Sequence, residues 1–188
     1  MPDHHLKPHT ALGQVAAVTQ TVHGLLIREN PNSALASLAT RRGRDADVAR
    51  MAESAGLALP GPGQISQGTP WSALWIGPEQ WLLEAPFASH EDIVSHLAPI
   101  FVDAASLTEQ TDAWVRFDLQ GQGLVDVFER LCALNLRAMA DLGGARTVIE
   151  HIGVFVLKLA EDQISVLGPR SSAASLHHAL ITAAKSAL

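Results

Sequence analysis

The sequence contains a single cysteine, Cys132, and no tyrosine. A lone thiol closes no intrachain disulfide and builds no cysteine-based zinc cluster, which fits a reducing compartment. Charge is scarce as well: Asp, Glu, Lys and Arg make up 17% of the chain, and the 13 basic side chains are outnumbered by 19 acidic ones for a formal net charge of −6. The basic cluster Arg41, Arg42 and Arg44 is followed at once by Asp45 and Asp47. A phosphate backbone would be repelled by the whole and weakly attracted by the part, so no nucleic-acid partner is expected. No apolar run reaches the roughly 18 residues that cross a bilayer, since even GVFVLKLA is interrupted by Lys158. The opening MPDHHLKPHTALGQVAAVTQ has no uninterrupted apolar core of the kind a secretory signal needs. These absences together predict a cytoplasmic protein with no membrane association.

Signatures of catalysis are also missing. The chain has no Gly-x-Ser-x-Gly elbow, no Walker loop and no His-Glu-x-x-His pair. Gly121-Gln122-Gly123 lies between an expected strand and an expected helix. A dinucleotide fingerprint needs a small residue three positions on, where this chain has Asp126, whose carboxylate in the first helical turn would repel a pyrophosphate. The glycines therefore read as a tight strand-to-helix turn. His5 and His9 have the spacing of a helical metal pair, but Pro8 disfavours a helix there, and no metal is expected. His177 and His178 are adjacent, so one is expected on the surface and one at a boundary. His90 and His96 flank Glu91 and Asp92, yet six residues on one helix point them to opposed faces, which favours capping and solvation over a general base. Cys132 sits in the apolar stretch LCALNL and reads as a buried structural thiol. No catalytic residue is assigned and no cofactor-binding residue is identified.

What the sequence does hold is a globular composition: 188 residues, 47% of them apolar, enough to bury a substantial core in one compact domain. Residues 1–13 lack apolar periodicity and read as an N-terminal arm, leaving 14–188 as a single domain. TVHGLLIR, from Thr21 to Arg28, reads as a buried strand stopped by Asn30-Pro31-Asn32. Asp45 to Gly56 carries Val48, Met51, Ala52 and Ala55 at helical spacing, with Gly56 as the stop. PGPGQISQGTP is a loop. SALWIGPEQWLLEAP reads as a hairpin turning at Gly77-Pro78-Glu79-Gln80, and Ser89 and Asp92 approximate a capping box before the stripe Ile93, Val94, Leu97. From Trp114 the order repeats. WVRFDL alternates as a half-buried strand, Gly121 to Leu134 forms a helix on Leu124, Val127, Phe128 and Leu131, the runs TVIEHI, GVFVLKL and ISVLG are strands, and SSAASLHHALITAAKSAL closes as a helix with Lys185 near its end. Both halves, about 20–100 and 110–188, thus read strand, helix, hairpin, helix, offset by roughly 80–90 residues. An internal duplication follows, and with it an α+β fold of largely antiparallel sheets with packed helices.

Trp71, Trp75 and Trp81 cluster around the first hairpin, and Trp114 opens the second half. Large rings at strand edges serve either as core or as anchors for a partner subunit. Core is the commoner use, and the low charge adds weight to the second, which marks Trp71, Trp75 and Trp81 as a possible partner interface.

Trp75-Ile76-Gly77-Pro78-Glu79-Gln80-Trp81-Leu82-Leu83 resembles the hairpin of gamma subunits of heterotetrameric sarcosine oxidase and, more loosely, that of aminomethyltransferases. The likeness continues through Leu131 to Leu136, Ala145-Arg146-Thr147, the strand pair around Val156 to Val166, and Pro169 to Leu176. It departs at Asn135-Leu136, where the family pattern has Asp-Leu, so no catalytic residue is carried over. The resemblance implies an aminomethyltransferase folate-binding-domain-like fold and a small structural or assembly subunit without catalytic residues of its own, its foremost partner the large alpha subunit. It further implies that FAD, FMN, NAD and tetrahydrofolate are held by other subunits of a complex that oxidises sarcosine to glycine with O2 and tetrahydrofolate, and that this chain binds none of them. The alternative is a free-standing folate-binding or aminomethyltransferase-like protein.

Overall fold

The computed structural model describes residues 7–188. In chain order the elements are β1 (Thr19–Val22), β2 (Leu25–Glu29), β3 (Ser33–Thr40), α1 (Asp45–Ser54), β4 (Ile65–Ser66), β5 (Ser72–Gly77), β6 (Gln80–Pro86), α2 (Phe87–His90), α3 (Ile93–Phe101) and β7 (Ala105–Glu109). They continue with β8 (Trp114–Gln120), α4 (Leu124–Leu131), β9 (Gly143–Ile149), β10 (Ile152–Ala160), β11 (Gln163–Pro169) and α5 (Ala173–Ala187). The expected α+β class is the one observed, and every strand pairing is antiparallel.

The duplication is written in the strand order. One sheet runs β4-β5-β6-β3-β7, and the other, read from its far edge, runs β9-β10-β11-β8-β2-β1. Strand for strand, β3, β4, β5 and β6 occupy the places of β8, β9, β10 and β11. The first repeat opens at Ser33 and the second at Trp114. The strand that leads into each repeat joins the sheet of the other one: β2 precedes β3 but pairs with β8, while β7 precedes β8 but pairs with β3.

Alternation along each strand sorts side chains to two faces. In β8, Val115, Phe117 and Leu119 are buried against α4 and α5, together with Val154 and Val156 of β10 and Ile164 and Val166 of β11. In the first repeat Ala34, Ala36 and Leu38 of β3 and Leu83 and Ala85 of β6 meet Val48 and Ala52 of α1 and Ile93, Leu97 and Phe101 of α3. The opposite faces of the sheets meet each other through Leu35, Leu74, Leu82, Phe155, Leu157 and Leu167. The result is four layers, helices outside and two sheets within.

Three local departures from the sequence reading have physical causes. Thr21 to Arg28 is not one strand but a hairpin, because His23 and Gly24 both take positive φ (47° and 89°), the combination a two-residue hairpin turn requires. Ser33–Thr40 forms a central strand that carries no strand signal; two of its helix-facing positions are Ala34 and Ala36, small residues that let α1 and α3 lie close, and alanine has little strand preference. The helix expected over Gly121 to Leu134 is shorter, since Cys132 already has extended backbone angles.

Gly121 and Gly123 form the tight turn expected of them. Gly121 sits at φ +142°, and a Cβ there would lie 3.1 Å from the Gly24 carbonyl oxygen and 3.2 Å from Leu25 Cα. Both atoms belong to the backbone of the β1–β2 turn, which would have to shift, and the positive φ is strained for any residue with a Cβ. Gly121→Ala is accordingly expected to lower stability by about 1–3 kcal/mol, read as a lower urea midpoint with an unchanged slope.

Candidate functional site

The alternation that sends Val115, Phe117 and Leu119 to the helices sends Arg116 and Asp118 into the space between the sheets, where Glu84 of β6 faces them. Arg116 Nη1 donates to Glu84 Oε1 at 2.5 Å, Nε donates to Asp118 Oδ1 at 2.7 Å, and Nη2 donates to Ser165 Oγ at 3.1 Å. Ser165 Oγ donates in turn to Asp118 Oδ1 at 2.6 Å, Asn30 Nδ2 to Asp118 Oδ2 at 2.7 Å, and Ser33 Oγ to Glu84 Oε1. One guanidinium thus joins a carboxylate of the first repeat to a carboxylate of the second, with its side chain only 15% exposed. Burial on its own would push the Asp118 carboxyl up; the charge of Arg116 and the hydrogen bonds from Ser165, Arg116 and Asn30 outweigh burial and hold it below the ordinary carboxylate value. Burial likewise acts to lower the Arg116 value, and Glu84 and Asp118 overcome it, so the guanidinium is held more firmly charged than usual.

Beside this network opens a cleft of about 370 Å³ between the sheets, within the range of small-molecule sites. Its apolar wall is formed by Leu35, Leu74, Leu82, Leu157, Leu159 and Leu167, and its polar end by Glu84, Arg116, Asn30, Asn32 and Ser33. Glu84 Oε1 accepts two hydrogen bonds, whereas Glu84 Oε2 accepts none among the described residues.

The residues singled out from sequence lie elsewhere. Trp71 is 7% exposed, set in the first-repeat core with its ring edge-on to His90 at 4.9 Å. Trp75 and Trp81 face each other across β5 and β6, both half-buried, and Trp81 Nε1 donates to the Pro60 carbonyl at 2.8 Å. Trp114 packs between the sheets at 5.6 Å from Phe155. His90 and His96 do not point apart: their ring centroids are 4.6 Å from each other. The reason is that α2 ends at His90 and a new helix begins at Asp92, which accepts from Ser95 N, so helical spacing does not apply across the break. Cys132 is half-buried against the second-repeat core instead of enclosed. Asn135 Oδ1 accepts from Ala138 N at 3.2 Å, stabilising a turn, and Leu136 next to it is buried. His5 lies outside the described residues; His9 Nδ1 is 3.0 Å from the Lys7 carbonyl. Among the described residues no group of three or more His, Cys, Asp or Glu is placed to hold a metal ion, and no helix is long and apolar enough to cross a membrane.

His177 and His178 divide as expected, the first half-buried and the second exposed. His177 stacks on Phe117 at 5.5 Å. Its Nε2 is buried with no hydrogen-bond partner among the described residues. Nearby, the buried Glu29 carboxylate accepts from Leu12 N at 2.9 Å and Val18 N at 3.3 Å, fastening the segment before β1 to the second repeat. Burial pushes the His177 imidazole down, against the opposing charge of Glu29.

The fold that holds this cleft has counterparts among solved structures. The chain folds like a chain of heterotetrameric sarcosine oxidase. Against that structure, from Corynebacterium sp. U-96, the TM-score is 0.76 at 20% sequence identity, over 89% of this chain and 87% of the other. Aminomethyltransferase T of the glycine cleavage system from Bartonella henselae also matches, with a TM-score of 0.60 and 13% identity over 81% of this chain but 44% of its own. This chain therefore spans less than half the length of that protein. No protein-family model matches the sequence, and no curated protein does. The expected likeness to the sarcosine oxidase and aminomethyltransferase folds is present in the three-dimensional structure.

Glu84, Arg116 and Asp118 carry no motif. The available signal was two opposite charges at alternate positions of WVRFDL, on the face that a single sheet would turn to water. Only the packing of a second sheet onto that face encloses them.

Removing Arg116 strands two carboxylates between the sheets. Arg116→Met is expected to cost about 3 kcal/mol or more, measured by urea unfolding. Replacing Glu84, Arg116 and Asp118 together by apolar residues should restore much of that loss.

His177 supplies a pH dependence. Its folded value lies below the ordinary 6.5, so the folded state binds fewer protons there, and stability is lost as pH falls from 6.5 through the lower folded value. Wild-type stability is expected to decline as the pH drops below 6.5, with a shallower decline in His177→Phe, as followed by thermal melts at a series of pH values.

Proposed function

We propose that this chain is a structural subunit of a sarcosine-oxidising complex, seated on a large flavin-bearing partner and without catalytic residues of its own. The observation that carries the reading is the reach of the fold likeness, which extends over 89% of this chain and 87% of a chain from a heterotetrameric oxidase. A likeness that fills both chains favours an equivalent place in an assembly over a fragment of a larger enzyme. In this reading FAD, FMN, NAD and tetrahydrofolate reside in the other subunits, and this chain contributes packing surface. Trp75 and Trp81 are its anchors: paired across β5 and β6, they offer large half-buried rings at the hairpin, the residue type that dominates interface energetics. Trp71 braces the same hairpin from the core side.

The test is recovery of the tagged chain from its native cell, with flavin absorbance and sarcosine-dependent peroxide production recorded on the eluate. A flavin-containing large subunit in stoichiometric yield is expected, with its retention lowered about tenfold or more by Trp75→Ala combined with Trp81→Ala. A lone, colourless protein that binds tetrahydrofolate would overturn the reading in favour of a free-standing folate-binding protein.

A further inference from the structure

The cleft between the sheets has no part in an assembly role, yet its walls have a defined chemistry. Its apolar side is six leucines from β3, β5, β6, β10 and β11, which favours an apolar body by about 25 cal/mol for each Å² taken from water. Its polar end has two charged lining residues, Glu84 and Arg116. Arg116 is committed on three nitrogens to Glu84, Asp118 and Ser165, and two carboxylates face that single positive charge. The surplus charge at the polar end is negative. Glu84 Oε2 accepts no hydrogen bond among the described residues, so one carboxylate oxygen at the edge of an apolar cleft is left for an outside donor. An anionic head would meet the surplus carboxylate and an arginine already occupied; a cationic, donating head would complete the network.

From this geometry we infer that the cleft is a binding site for small amphipathic amines, with the ammonium donating to Glu84 Oε2 and the hydrocarbon lying along Leu74, Leu82, Leu157 and Leu159. The cleft volume of about 370 Å³ holds a body of the size of a hexyl chain or a phenyl ring with its head. Asn32 and Ser33 line the same end and supply further polar contacts for the remaining ammonium protons.

The inference goes beyond the assembly reading and is tested without a partner. Using the isotopically labelled full chain, amide shifts are followed on titration with n-hexylamine and benzylamine and, at matched ionic strength, with hexanoate and benzoate. The amines are expected to give saturable shifts confined to the cleft-lining segments around Ser33, Glu84 and Leu159, and the carboxylates to give none there. Glu84→Gln, which removes the charge and keeps the size, should weaken amine binding about tenfold, the loss of one charge-assisted hydrogen bond. Leu159→Trp, which fills the cleft and leaves the Arg116 network whole, should abolish it even if Glu84→Gln proves too unstable to titrate. Equal binding of hexanoate, shifts that scatter over the surface without saturating, or amine binding that survives Leu159→Trp would each overturn the inference.

Discussion

Arg116 is the group on which the rest of the architecture leans. Two sheets with apolar inner faces could slide over one another, since dispersion and hydrophobic contacts are not directional. A guanidinium is directional: its planar fork accepts carboxylates only along fixed lines. By holding Glu84 from one repeat and Asp118 from the other, with Ser33, Ser165 and Asn30 completing the shell, it fixes how the two sheets sit and keeps the cleft beside it open. Charges in that position are costly to desolvate, and the network endures because nearly every donor and acceptor in it is matched.

Around this point the chain has built the same unit twice and let the copies diverge. The helix-facing side of each sheet is ordinary core, leucine, valine, phenylalanine and alanine in alternation. The faces that meet carry the differences: leucines line the cleft from both sheets, Glu84 comes from the first, and Arg116 and Asp118 come from the second. Specialisation is thus confined to the shared face, while the buried outer cores preserve the repeat. That division explains how a chain with 20% identity to an oxidase chain keeps a fold of TM-score 0.76 with it: many apolar sequences satisfy an alternating pattern equally well.

The α+β class and the second-half strands were legible because periodicity records which face is apolar. Alternation in WVRFDL predicts the side-chain directions of β8, and the glycines of Gly121-Gln122-Gly123 mark the turn that follows. Less legible was whatever depends on what lies opposite. Ser33–Thr40 looks like no strand because its alanines answer to helices α1 and α3, the second of them more than fifty residues away. Arg116, Asp118 and Glu84 look like solvent-facing charges because the sheet that covers them belongs to the other repeat. His90 and His96 were set apart by a helical rule that a break at Glu91 and Asp92 suspends. In each case local sequence states a residue's direction, and only tertiary contact states its environment.

The crossing of β2 to β8 and of β7 to β3 couples the two repeats in time as well as in space. As the chain is synthesised, β2 emerges long before β8 exists to receive it, and the first sheet lacks its β7 edge until the linker to the second repeat has been made. The β1–β2 hairpin therefore leaves the ribosome without the sheet it joins, a state in which exposed backbone invites pairing with other chains. The domain becomes whole in one late step, when the second repeat supplies its sheet and α5 packs over the β2 hairpin. Such long-range pairing slows folding, and it makes the two halves inseparable: a cut between β7 and β8 would leave the second sheet with an edge shaped for β2, a strand that the first half carries.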